Sequence, residues 1–191
     1  MSSAEATTAD EVLSAGEERM KKSIGSLKID FQSIRTGRAN PQLLDRVEVD
    51  YYGTMTPLKG LANISTPDGR SLLIQPYDKS AVKNIEQAIH KSDLGLTPNS
   101  DGSVVRITIP ALTEERRKEL NKQVKKVGED AKVAIRNVRR DCDQDLKKFK
   151  DKGISEDDLK RKAEALQKMT DKYITEVDRA IKEKETEIME I

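Results

Sequence analysis

Residues 27–52 read LKIDFQSIRTGRANPQLLDRVEVDYY, and within this stretch the hydrophobic period changes once. Up to Ile34, apolar residues recur every three or four positions, at Leu27, Phe31 and Ile34, which is one face of a helix. In Arg46-Val47-Glu48-Val49-Asp50-Tyr51-Tyr52 they alternate with polar residues, as in a half-buried strand. Between the two patterns lie Gly37, suited to a left-handed helix stop, and Asn40-Pro41, where proline bars the helix from resuming. A helix therefore hands over to a sheet-forming module.

Working back from this junction, the stripe continues through Ile24, Met20, Gly16 and Leu13, giving a helix of about eight turns. Thr8 and Glu11 have the capping-box spacing that satisfies free amides at a helix start. Residues 2–9 are small and polar and lack the apolar stretch of a secretory signal. A cloning remnant, a natural tip and the remainder of a transit peptide all fit that composition.

Working forward, Gly53 to Pro57 predicts a turn, Ile64 a short extended piece, and Pro67-Asp68-Gly69 a tight turn. Ser71 to Tyr77 is the next strand, and Ser80 is placed to cap a helix carrying Val82, Ile85, Ala88 and Ile89. Thr97 to Gly102 reads as turn material before an alternating strand from Val104 to Ile109. After Pro110 the helical period returns. Thr113-Glu114-Glu115 offers a cap and two carboxylates at the positive helix end. Leu120, Val124, Val127, Ala131, Ala134, Val138, Cys142 and Phe149 then trace a stripe that ends at Lys152-Gly153. Ser155 and Asp158 open a last helix with Leu159, Ala163, Leu166, Tyr173, Val177, Ala180 and Ile188 on its apolar side.

None of the three long helices can bury its stripe alone, so the spacing predicts an α+β chain: an elongated antiparallel three-helix bundle with an inserted small β/α/β domain. The bundle takes residues 1–37 and 112–191, and the inserted domain takes 41–109. The two connections, 36–41 and 110–113, contain Gly37, Pro41 and Pro110 and have the look of a double hinge.

Composition narrows the function. Charged residues make up 36% and aromatics 3%, with no Trp, which suits long solvated helices. The 35 basic and 34 acidic residues almost cancel, so the chain is no generic basic glue, and any RNA binding must come from local clustering of charge. One cysteine, Cys142, permits no internal disulfide and points to a reducing compartment. No apolar run is long enough for a membrane span. The single histidine, His90, has no ligand partners, Cys142 lies on an apolar stripe, and a Gly-rich phosphate loop is missing. Neither an enzyme, a metal site nor a cofactor is expected.

Residues 131–140 contain no carboxylate, yet hold Lys132, Arg136, Arg139 and Arg140. Lys118, Lys125, Lys132 and Arg139 are seven apart and share one line on the helix, turned roughly 120° from the apolar stripe. One reading is a solvated face; the other is a positive ridge whose guanidinium groups grip phosphate in two-pronged fashion. No aromatics interleave, so the ridge suits the backbone and shape of folded RNA rather than splayed bases. Arg35 and Arg38 bracket Gly37, where helix-end electrostatics and RNA contact account equally well for them.

Five motifs then occur in order: Ile34-Arg35-Thr36-Gly37-Arg38-Ala39, Val49-Asp50-Tyr51-Tyr52-Gly53, Ser92-Asp93-Leu94-Gly95-Leu96-Thr97-Pro98-Asn99, Leu112-Thr113-Glu114-Glu115-Arg116-Arg117-Lys118, and Val133-Ala134-Ile135-Arg136-Asn137-Val138-Arg139-Arg140-Asp141. Together they resemble the ribosome recycling factor family, from about Leu13 onward. The resemblance implies an L-shaped protein with its two domains joined by a flexible double hinge, here Thr36, Gly37, Arg38 and Ala39 with Pro110, Ala111, Leu112 and Thr113. It implies binding to the post-termination ribosome and, with elongation factor G and GTP, splitting into subunits with release of messenger and deacylated transfer RNA. The bundle would lie on large-subunit RNA near the peptidyl-transferase centre and the intersubunit bridges, through Arg35, Arg136, Arg139 and Arg140. A monomer is expected. Leu61 to Asp68 and Ile74-Gln75-Pro76 look closest to cyanobacterial and plastid members, which with the small-residue tail favours the chloroplast stroma, a bacterial cytoplasm being the alternative. A helical protein adaptor and an enzyme using the inserted domain's cleft are the rival functions; neither accounts for five ordered motifs.

Overall fold

The computed structural model describes residues 8–190; the predicted tail, up to residue 7, lies outside them. In chain order the elements are α1 (Ala9–Ser33), β1 (Glu48–Tyr51), β2 (Thr54–Pro57), the single turn α2 (Leu58–Leu61), β3 (Ala62–Ser65), β4 (Ser71–Pro76), α3 (Val82–Lys91), β5 (Pro98–Ser100), β6 (Val105–Thr108), α4 (Glu114–Lys148) and α5 (Glu156–Met189). Short 3-10 turns occupy Pro41–Leu44, Lys79–Ala81 and Phe149–Lys152. The chain forms two compact units, residues 8–34 with 114–190, and residues 35–113.

The first unit is a bundle of α1, α4 and α5, each packed on the other two. Thr8 Oγ1 accepts the Glu11 amide at 3.1 Å and starts α1, a cap that stabilises by about 1 kcal/mol. Ser155 does the same for α5, accepting the Asp158 amide at 3.2 Å. Gly153 takes the left-handed conformation, with φ of 90°, that closes the turn after α4. At the end of α1 the stop is not Gly37, which has no positive φ. The backbone extends at Ile34 instead (φ −76°, ψ 111°), whose amide donates to the Phe31 carbonyl. Ile34 is buried, so a packed β-branched side chain does what a glycine was expected to do.

Cross-helix contacts fix the directions. Arg19 pairs with Asp141 at 3.0 Å, so α1 runs antiparallel to α4. Lys132 pairs with Asp178, making α5 antiparallel to α4. Lys162 pairs with Asp10, and Tyr173 Oη donates to Glu17 at 2.8 Å, so α1 and α5 are parallel. The packed faces differ in detail from the predicted stripes. Val12 rather than Leu13 is buried at the start of α1. On α4 the buried set is Leu120, Val124, Gly128, Ile135, Val138, Cys142 and Leu146, while Val127, Ala131 and Ala134 are only half-buried. The cause is that α4 faces two partners, so its seam is broader and rotated toward α5. On α5, Leu159 is half-buried and Ala163 exposed; Thr170 sits in the core, its hydroxyl returned to the Leu166 carbonyl at 2.8 Å.

Two glycines permit this closeness. A Cβ on Gly16 would stand 2.5 Å from Cys142 Sγ, and one on Gly128 2.6 Å from Ile181 Cγ1. Gly25, by contrast, faces open space.

The inserted unit holds a four-stranded antiparallel sheet in the order β3-β4-β6-β5 and a separate β1-β2 hairpin. Leu72 pairs with Ile107, and Ile74 with Val105, putting all four on the covered face. On that face α3 contributes Val82, Ile85 and Ile89, against β1, β5 and β6. Several segments expected to be loops are strands or differently capped. Thr54–Pro57 is strand β2, with the reversal confined to Tyr52-Gly53, both at positive φ, the two-residue hairpin geometry whose twist matches its strands. Pro98–Ser100 is an edge strand on β6, the sheet position that tolerates proline because one side of such a strand needs no amide donor. Asp78, not Ser80, caps the turn before α3, accepting the Ser80 amide at 2.9 Å.

Opposite signs are expected at two helical glycines. Gly128→Ala gains about 1 kcal/mol of helix propensity but meets Ile181, where overpacking costs about 1–3 kcal/mol; the net effect is a lower denaturation midpoint. Gly25→Ala has only the gain, and raises the midpoint. Urea titration of both variants checks the pair.

Tyr173 gives the bundle an alkaline limit. Burial first, then its bond to Glu17, raises the phenol to about 12 from 10.0. The unfolded chain loses this proton near 10 while the folded chain keeps it. The stabilisation is therefore whole below pH 10 and is lost as the pH rises toward about 12. Stability measured across that window should fall less steeply in Tyr173→Phe, and parallel curves would refute the assignment.

Candidate nucleic-acid interface

Every residue from 131 to 140 lies inside α4. Ile135 and Val138 plant this segment in the core at 0% and 4% exposure. Arg136 and Arg140 follow one turn apart on the solvent side, both exposed, and Arg139 is half-buried at the edge. None of the three has an ion-pair partner among the described residues. Val133, 51% exposed, lies one turn before Arg136 and Asn137, adding apolar surface beside the guanidinium groups. The sequence reading of an uncompensated arginine patch thus describes these three residues.

It does not describe Lys132. This residue's Nζ pairs with Asp178 of α5 and, at 3.4 Å, with Glu129 one turn earlier; its side chain is 15% exposed. Asp178, more than burial, sets its pKa, raising the ammonium above its ordinary value. The predicted outward direction fails because it was measured from the wrong centre. Lys132 is three residues from Ile135, hence only roughly 60° from the true seam. Positions flanking a helix–helix seam are where long cations pair across it. Lys118 and Lys125, on the same line, are exposed, while Lys147 pairs with Asp143 at 3.1 Å.

The two remaining arginines belong to the inserted unit. Arg35 donates from Nη1 to the Leu94 carbonyl at 2.6 Å; α1 has no basic residue in its last turn, so the helix-end reading of Arg35 gives way to a backbone tether within the inserted unit. Arg38 is exposed, and no ion pair engages it among the described residues.

Both connecting segments end on one turn. The Ala39 amide donates to Gly69 O and the Ile109 amide to Arg70 O, each at 2.8 Å. Ala39 and Ile109 are both buried in the inserted unit's core. Asp68 holds the turn by accepting the amides of Arg70 (2.9 Å) and Ser71 (2.8 Å) and the Ser71 hydroxyl (3.2 Å). The same bonds, Arg70's first, hold its carboxyl below the ordinary 3.8. Ala39, grouped with the hinge by motif, is therefore anchored, while Arg38 and Pro110 to Ala111 are exposed and Leu112 half-buried. The sequence signal was present in Pro67-Asp68-Gly69, but only as a turn.

His90 is exposed; Cys142 is buried, and desolvation raises its thiol. A cleft of about 450 Å³ in the inserted unit is lined by Arg46, Glu48, Asp50, Asn84, Lys91 and Ser92 among others, and the Ser92 hydroxyl donates to the Ile89 carbonyl at 2.5 Å. Among the described residues no group of His, Cys, Asp or Glu is placed to hold a metal, and no helix is long and apolar enough to cross a membrane.

Residues 27–189 match the family model described as ribosome recycling factor. The chain belongs to the ribosome recycling factor family. A ribosome-recycling factor of Halalkalibacterium halodurans is 57% identical over 182 residues, covering 95% of this chain and 98% of that protein. Its counterpart in Bacillus subtilis is 56% identical with the same coverage. A solution structure of the ribosome recycling factor superposes with a TM-score of 0.75 at 41% identity, covering 97% of this chain and all of the other. A second, described as models for the T. thermophilus ribosome recycling factor and the E. coli elongation factor G bound to the E. coli post-termination complex, gives 0.63 at 43% identity, with 96% and full coverage. The relatives named with an organism are bacterial, so the predicted plastid location finds no support in them.

Removing the carboxylate of Asp68 should loosen both anchors together. In Asp68→Ala, hydrogen exchange at the Ala39 and Ile109 amides is expected to accelerate in parallel, with the α4 amides unchanged. Acceleration at one alone would mean that the turn does not couple them.

Proposed function

We propose that this protein recycles bacterial ribosomes in the cytoplasm. It binds the post-termination complex and, with elongation factor G and GTP, separates the subunits, so that messenger and deacylated transfer RNA leave. The protein itself contributes no catalytic group; it acts as a translation factor through position and charge. Family membership over residues 27–189 supports this reading, as does the relative described in a post-termination complex with elongation factor G. The observation in this chain that carries it is the set of Arg136, Arg139 and Arg140 on α4, without ion-pair partners among the described residues.

In this reading the three guanidinium groups hold the bundle on large-subunit ribosomal RNA, near the peptidyl-transferase centre and the intersubunit bridges. Arginine suits the task because its planar fork engages two phosphate oxygens at once. Arg38 is a further phosphate contact, and Arg35 shapes the connection through its tether to Leu94. The inserted domain moves on a double hinge formed by Thr36, Gly37 and Arg38 with Pro110, Ala111, Leu112 and Thr113, bounded by the anchored residues Ala39 and Ile109. Elongation factor G moves this domain, while a bundle whose longest helix has 35 residues, roughly 50 Å at 1.5 Å per residue, delivers the load at the subunit bridges.

Arg139→Glu with Arg140→Glu should reduce affinity for purified large subunits by at least about tenfold. It should also make the salt dependence shallower, by roughly 0.9 in the log–log slope for each phosphate no longer neutralised. Subunit splitting with elongation factor G and GTP should fall in step. Unchanged binding and splitting would remove the ridge as the anchor.

A further inference from the structure

Lys132 is the one member of the basic line that the fold has already committed. Its ammonium is mostly covered and shared between Asp178 on α5 and Glu129 on its own helix. It stands one turn before Arg136 and, two turns on, shares its line with Arg139. Within the same stretch Gly128 brings α4 onto Ile181 of α5, and Ile135 is fully buried. The apolar contacts hold the two helices close, but they are non-directional and tolerate a small rotation of α4. An ion pair between the helices does not, because its partners must keep both distance and direction.

We propose that Lys132 is a positioning residue: its pair with Asp178 fixes the rotation of α4 against α5 so that Arg136, Arg139 and Arg140 meet the RNA in register. Asp178 has a second task in the same arrangement. With Lys132 closed on it, its carboxylate is neutralised beside the arginines and neither captures one of them nor repels phosphate. This inference rests on the ribosome-binding reading of the ridge and assigns Lys132 a place behind the interface instead of in it.

The two roles give different outcomes in the full-length protein, measured as affinity for purified large subunits across a salt series. Asp178→Asn is the sharpest single change, since it removes a negative charge next to the RNA-facing ridge. Charge alone would tighten binding. Loss of positioning weakens it, by about fivefold, as expected for a partly exposed ion pair, with an unaltered salt slope because the same phosphates stay neutralised. Lys132→Met should weaken binding at least as much, because it also leaves the Asp178 carboxylate without its partner on α4. The exchanged pair, Lys132→Asp with Asp178→Lys, should recover affinity to within about twofold of the parent, judged against thermal melting so that folding is held equal.

An exchanged pair that binds worse than either single variant would overturn the proposal, because a restored ion pair would then fail to restore the register of the arginines. Tighter binding by Asp178→Asn would overturn it too. Arg139→Glu with Arg140→Glu, run alongside, separates this failure from failure of the ridge itself: intact binding there defeats both, whereas weakened binding there without rescue by the exchange defeats only the positioning role.

Discussion

The packing of α4 against two helices at once is the constraint on which the molecule depends. A 35-residue helix with one narrow stripe would need one partner; α4 has contacts to both α1 and α5, and its buried set spreads accordingly from Val138 and Leu120 round to Gly128, Ile135 and Leu146. Burying each such aliphatic side chain is worth roughly 1.5–3 kcal/mol, enough that the sum decides which face of α4 turns inward. What is left on the outside is then not free to vary. Arg136 and Arg140 are exposed because Ile135 and Val138 are not.

Polar contacts refine that arrangement without driving it. The exposed Arg19–Asp141 pair contributes little stability, yet it agrees in register with the Cys142 thiol against the Val12 carbonyl at 3.7 Å. Lys132 with Asp178 is more sheltered and acts between helices at the level of the arginines. In the inserted unit, Asp68 works by a different route. It organises a single turn by three hydrogen bonds, and that turn receives both chain connections. Charge thus sets direction in one unit, and backbone amides set anchorage in the other.

A protein acting through position needs rigid parts and defined joints. Rigidity in the bundle comes from close approach, permitted at Gly16 and Gly128 where a side chain would collide with Cys142 and Ile181. Ala39 and Ile109, one in each connecting segment, are taken into the inserted unit's core. On α4 three arginines stand without ion-pair partners among the described residues, with Val133 exposed one turn before Arg136.

The amino-acid order alone determined the long helices, their caps at Thr8 and Ser155, the inserted sheet module and the arginine cluster. All of these follow from local periodicity, capping chemistry and runs without opposite charge, which act within a few turns of chain. Tertiary structure decided which face of α4 was the seam, that Lys132 had a partner 46 positions away in Asp178, and that the Ala39 amide was bonded to Gly69. Strands β2 and β5 likewise became visible only with their partners, since four-residue and three-residue strands carry too little period to be read alone. Each of those outcomes depends on atoms distant in sequence, and a spacing rule along one chain contains no information about what stands opposite.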